Sequence, residues 1–183
     1  MSFFAPLPPW RPPAEPRMPV WARGPEDMVP GMVPAALLVA RTDTHAVLVD
    51  NLLVYPTGFD FDLAVRRHAR HPRQHHDRAQ LWGDELRLEV RFADGHTPST
   101  DPRSWPRTFE TEPPNPPFLY YHGGGGSERG WHSPHWLWGL PPPGPLTFVC
   151  TWPAGQLPGS GVEIDASLVL EAADRAVPVW PTG

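Results

Sequence analysis

Two stretches follow a period of two, large apolar residues alternating with polar or small ones, and this constrains the fold more than any other feature. In "FDFDLAVR", Phe59, Phe61, Leu63 and Val65 fall on one side, with Asp60, Asp62, Ala64 and Arg66 on the other. In "LRLEVRFA", Leu86, Leu88, Val90 and Phe92 share a side opposite Arg87, Glu89 and Arg91. A period of two puts alternate side chains on opposite faces of an extended chain, so both stretches predict antiparallel strands with one buried and one solvated face. "ALLVART" and "HAVLVDNLLVY" precede them, and "FLYYH", "HWLWGL", "LTFVCTW" and "GVEI" follow. These are apolar or aromatic runs bounded by Gly and Pro, which read as further short strands. In "YPTGF", Pro56 presets a turn and Gly58 accepts a positive φ, so a short hairpin with a bulge is expected there. About eight strands with turn signals between them predict an all-β, antiparallel two-layer sandwich.

Proline then divides the chain. Of 28 prolines, ten lie within residues 1–34, and residues 35–92 hold only Pro56 and Pro72. Residues 1–34 are therefore expected to form an extended, polyproline-like arm, and residues 35–183 the sandwich domain. One helix is expected near 166–177. Asp165 is its N-cap, Leu168, Ala172 and Ala176 with Val169 and Ala173 form its apolar face, and Pro178 stops it.

All 15 basic residues are Arg, and the formal net charge is −5. An excess of negative charge argues against a general nucleic-acid binder. The single Cys150 excludes an internal disulfide framework and reads as a small buried residue. The N-terminus has neither a basic start nor an apolar run of signal-peptide length, and no segment has the length of a membrane span. A cytoplasmic, reducing setting is the expectation.

The most unusual stretch is "YYHGGGGSERGWHSPHWLW", Tyr120–Trp138. A phosphate loop would run from its glycines into a helix and would use a Lys; Pro134 and the tryptophans oppose a helix, and the chain has no Lys. Ser127 and Ser133 lie near His132 and His135, but neither sits in the strand–turn–helix of a nucleophile elbow. His122, His132 and His135 flank the loop and are the candidate metal ligands; His132 and His135 are three apart, so a flat strand sends them to opposite faces. Arg129, Trp131, Trp136, Trp138, Tyr120 and Tyr121 are the candidate binding residues, because Arg and large aromatics anchor interfaces and aromatics stack on sugars. Four successive glycines predict a mobile hairpin tip whose shortening leaves stability nearly unchanged.

"RRHARHPRQHHDR" holds a second cluster. Arg66, Arg67, Arg70, Arg73 and Arg78 there form a candidate patch for an anion or an acidic partner, while His68, His71, His75 and His76 suggest a metal that five guanidiniums would repel. Asp60 and Asp62 share one strand face, about 7 Å apart at Cα, a spacing open to a glycosidase-like pair. Alternation alone accounts for both as solvent-face residues.

"VYPTGFDFDL", "HWLWGLPPPGPLTFVCTWP" and "VEIDASLVLEAADRAVPVW" resemble a group of small β-rich proteins of GC-rich bacteria. That group carries no established activity, so the resemblance implies a fold and no function. The leading expectation is a non-enzymatic protein-binding or self-assembly module without a cofactor. A carbohydrate- or small-ligand-binding sandwich and a metal-dependent enzyme using His122, His132 and His135 are the alternatives.

Overall fold

The computed structural model describes residues 19–68, 86–101, 115–127, 129–153 and 155–180. The strands are β1 (Met28–Val29), β2 (Gly31–Val33), β3 (Leu37–Arg41), β4 (His45–Tyr55), β5 (Gly58–Arg67), β6 (Arg87–Arg91), β7 (Phe118–Tyr121), β8 (Gly125–Ser127), β9 (Gly130–Trp138), β10 (Pro145–Trp152), β11 (Leu157–Asp165) and β12 (Val177–Pro178), with helix α1 at Ser167–Asp174. Eight of these strands have four or more residues, the number the alternation and turn signals predict. The large sheet runs β2-β4-β5-β9-β7, with β3 also on β4 and β8 also on β9; the small sheet runs β11-β10-β6. Every pairing is antiparallel. The chain is an all-β sandwich with one short C-terminal helix.

Alternation sets the core as expected. Phe59, Phe61, Leu63 and Val65 of β5 are buried against Leu88 and Val90 of β6 and Leu146, Phe148 and Cys150 of β10, all in one apolar cluster. Leu86 and Phe92 are buried as well. The solvated face of β5 departs from expectation: Ala64 is buried and Asp60 and Asp62 are only half exposed. β5 is a central strand, so the small Ala64 sits between Leu48 of β4 and His132 of β9, whose longer side chains cover it.

The turn between β4 and β5 is tighter than expected. Tyr55 pairs directly with Gly58, and the bulge lies further back, at Asn51, whose φ is 53°. Gly58 is needed for close approach, because a Cβ there would overlap the Leu137 carbonyl.

The arm and the helix both differ from expectation at their ends. Residues 1–18 lie outside the described residues. The rest of the arm is built into the fold: β2 pairs with β4, and β1 pairs with β12. Helix α1 is shorter than 166–177. Asp165 caps it from one residue further out, its Oδ1 accepting the Ser167 N–H at 2.8 Å. Its buried side is Val169, Ala172 and Ala173, while Leu168 is 44% exposed. The rotation follows from β2, where Gly31 lets the Ala172 carbonyl approach the strand and Arg175 Nη2 donates to the Met32 carbonyl at 3.0 Å. Beyond the helix the chain turns, and Pro178 enters β12.

Candidate functional site

Cross-strand register orders the outer face of the large sheet into rows. The first row is basic: Arg41 on β3, Ala46 on β4 and Arg66 on β5. Next comes an apolar row of Leu38, Leu48 and Ala64, ending at His132 on β9. The third row is acidic, Asp50 beside Asp62, ending at Pro134. A fourth runs Met32, Leu53, Asp60, Trp136 and Tyr120, and the last runs Tyr55, Gly58, Trp138 and Phe118.

From Asp60 and Tyr55 to Tyr120 and Phe118 the last two rows are roofed by Pro19–Gly24, while Met32 at the other end is 58% exposed. Ala22 N–H closes a 3-10 turn on the Pro19 carbonyl at 2.9 Å, and Trp21 and Ala22 pack with Phe118, Tyr120 and Trp138 in a second apolar cluster. Trp136 Nε1 donates to the Trp21 carbonyl at 2.8 Å, and the Tyr55 and Trp136 rings meet edge to face. Trp136, expected as a binding residue, is therefore fully buried. Trp136 and Trp138 share a side, but it is the outer side of the sheet, under the arm.

Asp60 lies under this roof. Burial, and then the neighbouring Asp62 carboxylate, push its carboxyl up to about 6. Burial, and then Asp60, raise the Tyr55 phenol above its ordinary value. A carboxylic acid with a raised pKa beside a second carboxylate is a pattern that general acid–base catalysis uses. Here the backbone of Gly24 closes the approach: a Cβ at Gly24 would lie 2.9 Å from Asp60 Oδ2 and 2.8 Å from Tyr55 Cε2. A substrate has no room between them.

Among the described residues, nothing covers the first three rows in this way. Leu38 is 47% exposed, Arg41, Arg66, His132 and Pro134 are exposed, and Ala46, Leu48, Asp50 and Asp62 are half-buried. Asn51 Nδ2 donates to Asp62 Oδ2 at 2.8 Å and steadies that carboxylate. Among the described residues, no carboxylate pairs with Arg41 or Arg66, and no cation pairs with Asp50 or Asp62. The small sheet is the opposite case. Arg91 pairs with Glu89 at 3.1 Å, Arg87 with Asp101 at 2.9 Å, and Thr147 Oγ1 donates to Glu163 at 3.5 Å. Sequence alone did not reveal these rows, because they depend on the registers of β3, β4 and β5, and the bulge at Asn51 shifts one of them.

The other expected site residues separate. Trp131 and Tyr121 lie on the inner side of the sheet, half-buried and stacked at 6.5 Å, while Tyr120 and Trp138 lie on the outer side. Arg129 is exposed at the hairpin tip, its carbonyl accepting the Arg67 N–H at 2.9 Å. Arg67 is half-buried; Arg70, Arg73 and Arg78 lie outside the described residues, with His71, His75 and His76.

The histidines do not converge. His132 faces outward and His135 inward, as their spacing predicts, and the His122 N–H bonds the Pro134 carbonyl at 3.1 Å. Among the described residues, no three His, Cys, Asp or Glu side chains gather as a metal site requires. His135 is buried, stacked on Phe61 at 5.3 Å, with Nδ1 2.9 Å from the Ser133 carbonyl. Burial lowers its pKa to about 4. Partial burial, and then Arg23, lower that of His122 as well. The Ser133 hydroxyl is buried with no hydrogen-bond partner among the described residues, so His135 does not activate it. Burial raises the Cys150 thiol to about 12, far from a reactive thiolate.

The glycine run is not a free tip. Gly125–Ser127 is strand β8, paired with β9, and a Cβ at Gly124 would lie 2.5 Å from Trp131 Cζ2 and 2.8 Å from the His132 carbonyl. Gly125 has open space, its nearest neighbour being His132 Cε1 at 3.9 Å. Gly124→Ala should therefore lower stability by about 1–3 kcal/mol through overpacking. Gly125→Ala should stay within about 0.5 kcal/mol of wild type. Urea denaturation of the two variants measures the difference; equal midpoints would mean that Trp131 gives way.

No protein-family model matches the chain, and no curated protein or solved structure matches it either. Among the described residues, no helix is long and apolar enough to cross a membrane.

Proposed function

We propose that the chain is a non-enzymatic protein-binding or assembly module whose contact surface is the uncovered part of the large sheet's outer face. The observation that carries this reading is charge there that is unpaired among the described residues. Arg41, Arg66, Asp50 and Asp62 flank an apolar row, while Arg87, Glu89 and Arg91 of the small sheet are paired within the chain. Unmatched charges beside exposed apolar surface are what a protein partner can use for register and specificity. A sugar-binding reading would need its stacking aromatics open to solvent, and Trp21 roofs Trp136 and Trp138 instead.

Capture from a lysate of the native host tests the proposal. Wild-type protein should retain at least one protein, its own chain included, that the Leu38→Glu variant does not. Identical retention by the two would contradict the assignment of this face.

A further inference from the structure

We infer that the partner of this face is the same face of a second copy of this chain, packed about a two-fold axis that runs along the Leu38–Leu48–Ala64–His132 row. This rests on the proposed binding role and names its partner. The basis is the order of the rows. A basic row lies on one side of the apolar row and an acidic row on the other, each one step of the pleat away. A two-fold axis along the middle row exchanges its two sides. The middle row then meets itself, and the basic row of each copy meets the acidic row of the other. Strand identity is kept by this operation, so Arg66 of β5 meets Asp62 of β5 in the second copy. Arg41 comes beside Asp50 of the second copy in the same way. Such a surface is self-complementary, as an isologous dimer interface must be.

The rest of the chain is consistent with this choice. The net charge of −5 opposes association of two copies in general. Alternating rows of opposite sign offset that repulsion at one place and in one register. Among the described residues, the arm covers the aromatic ends of the last two rows and reaches as far as Asp60, away from the three rows that the two-fold arrangement uses. The three rows span about 20 Å by 15 Å, taking strand spacing near 4.8 Å and row spacing near 7 Å. That is well under the roughly 800 Å² per partner of a standard interface, so the dimer should be weak and transient.

The test is sedimentation equilibrium on the full chain at low salt, for wild type, Arg66→Asp, Asp62→Arg and an equimolar mixture of the two variants. Each substitution acts twice in a symmetric dimer, so each variant alone should associate at least about tenfold more weakly than wild type. The mixture should recover association, because on β5 the first variant presents only acids and the second only arginines. Recovery on mixing cannot come from a folding defect, and unchanged thermal midpoints check this separately. A wild type that stays monomeric throughout the micromolar range would overturn the inference, as would a mixture no tighter than its components. If the wild type is monomeric while Leu38→Glu still abolishes capture of a different host protein, the second copy is the wrong partner and the binding role stands. If both experiments are negative, both fall.

Discussion

Replacing Trp136 with Ala should lower stability by about 4 kcal/mol, more than any surface substitution in this chain. The indole is fully buried, and truncating a buried Trp removes its transfer free energy and leaves a cavity, about 3–5 kcal/mol in all. It also frees the Trp21 carbonyl, which accepts the indole N–H at 2.8 Å. The loss should therefore reach the arm as well as the sheet. Trp136→Phe keeps most of the apolar area and loses the hydrogen bond, so it should cost less than Trp136→Ala. Trp138→Ala, at a half-buried position, should also cost less. Urea denaturation of the three variants gives the order. A loss for Trp136→Ala no larger than that for Trp138→Ala would mean that Pro19–Gly24 does not roof the sheet in solution.

The second large effect concerns pH and involves the half-buried Asp60 and the buried His135 acting in opposite directions. Asp60 has a folded pKa of about 6 against an ordinary value of 3.8. Between these values the native state holds a proton that the unfolded chain has released, so this group makes stability fall as pH rises from about 4 to 6. His135 has a folded pKa of about 4 against an ordinary 6.5. In that window the unfolded chain holds the proton, so His135 makes stability rise with pH, and His122, lowered in the same direction, adds to it. Each shift near two units bounds an effect of about 3 kcal/mol, less for Asp60, which keeps part of its hydration.

Wild-type stability should therefore vary little between pH 4 and 6.5. Asp60→Asn should leave a curve that climbs with pH and should raise stability at pH 7. His135→Phe, which keeps a ring on Phe61, should leave a curve that falls with pH. Denaturation midpoints at pH 4, 5, 6 and 7 for the three proteins decide it. Parallel curves would show that neither group is buried as described.

The buried faces of β5 and β6 were legible in "FDFDLAVR" and "LRLEVRFA", because period-two alternation is a local property and the core follows from it. The outer face was not legible, for three physical reasons. Trp136 carries no sign in its own strand that Trp21, 115 residues away, will cover it. The four glycines suggest freedom by composition, yet Gly124 is fixed by the ring of Trp131, a contact that exists only once β8 pairs with β9. The charge rows require Arg41, Asp50, Arg66 and Asp62 to be brought into register across three strands, with the Asn51 bulge counted. Helix α1 lies between these cases: Asp165 marked its start, but its buried side was set by Gly31.

Thiol cross-linking tests the central claim most directly, that the uncovered rows of the large sheet meet their own copy. His132 ends the row that lies on the proposed axis, and Glu163 stands exposed on the outer face of the small sheet. Each is replaced by Cys in turn and treated with a bis-maleimide spanning about 10 Å, the spacing of two packed sheets. The native Cys150 should stay silent, being buried with its thiol raised to about 12. His132→Cys should yield a covalent dimer and Glu163→Cys should remain monomeric. Equal cross-linking at the two positions, or none at His132→Cys, would contradict the account.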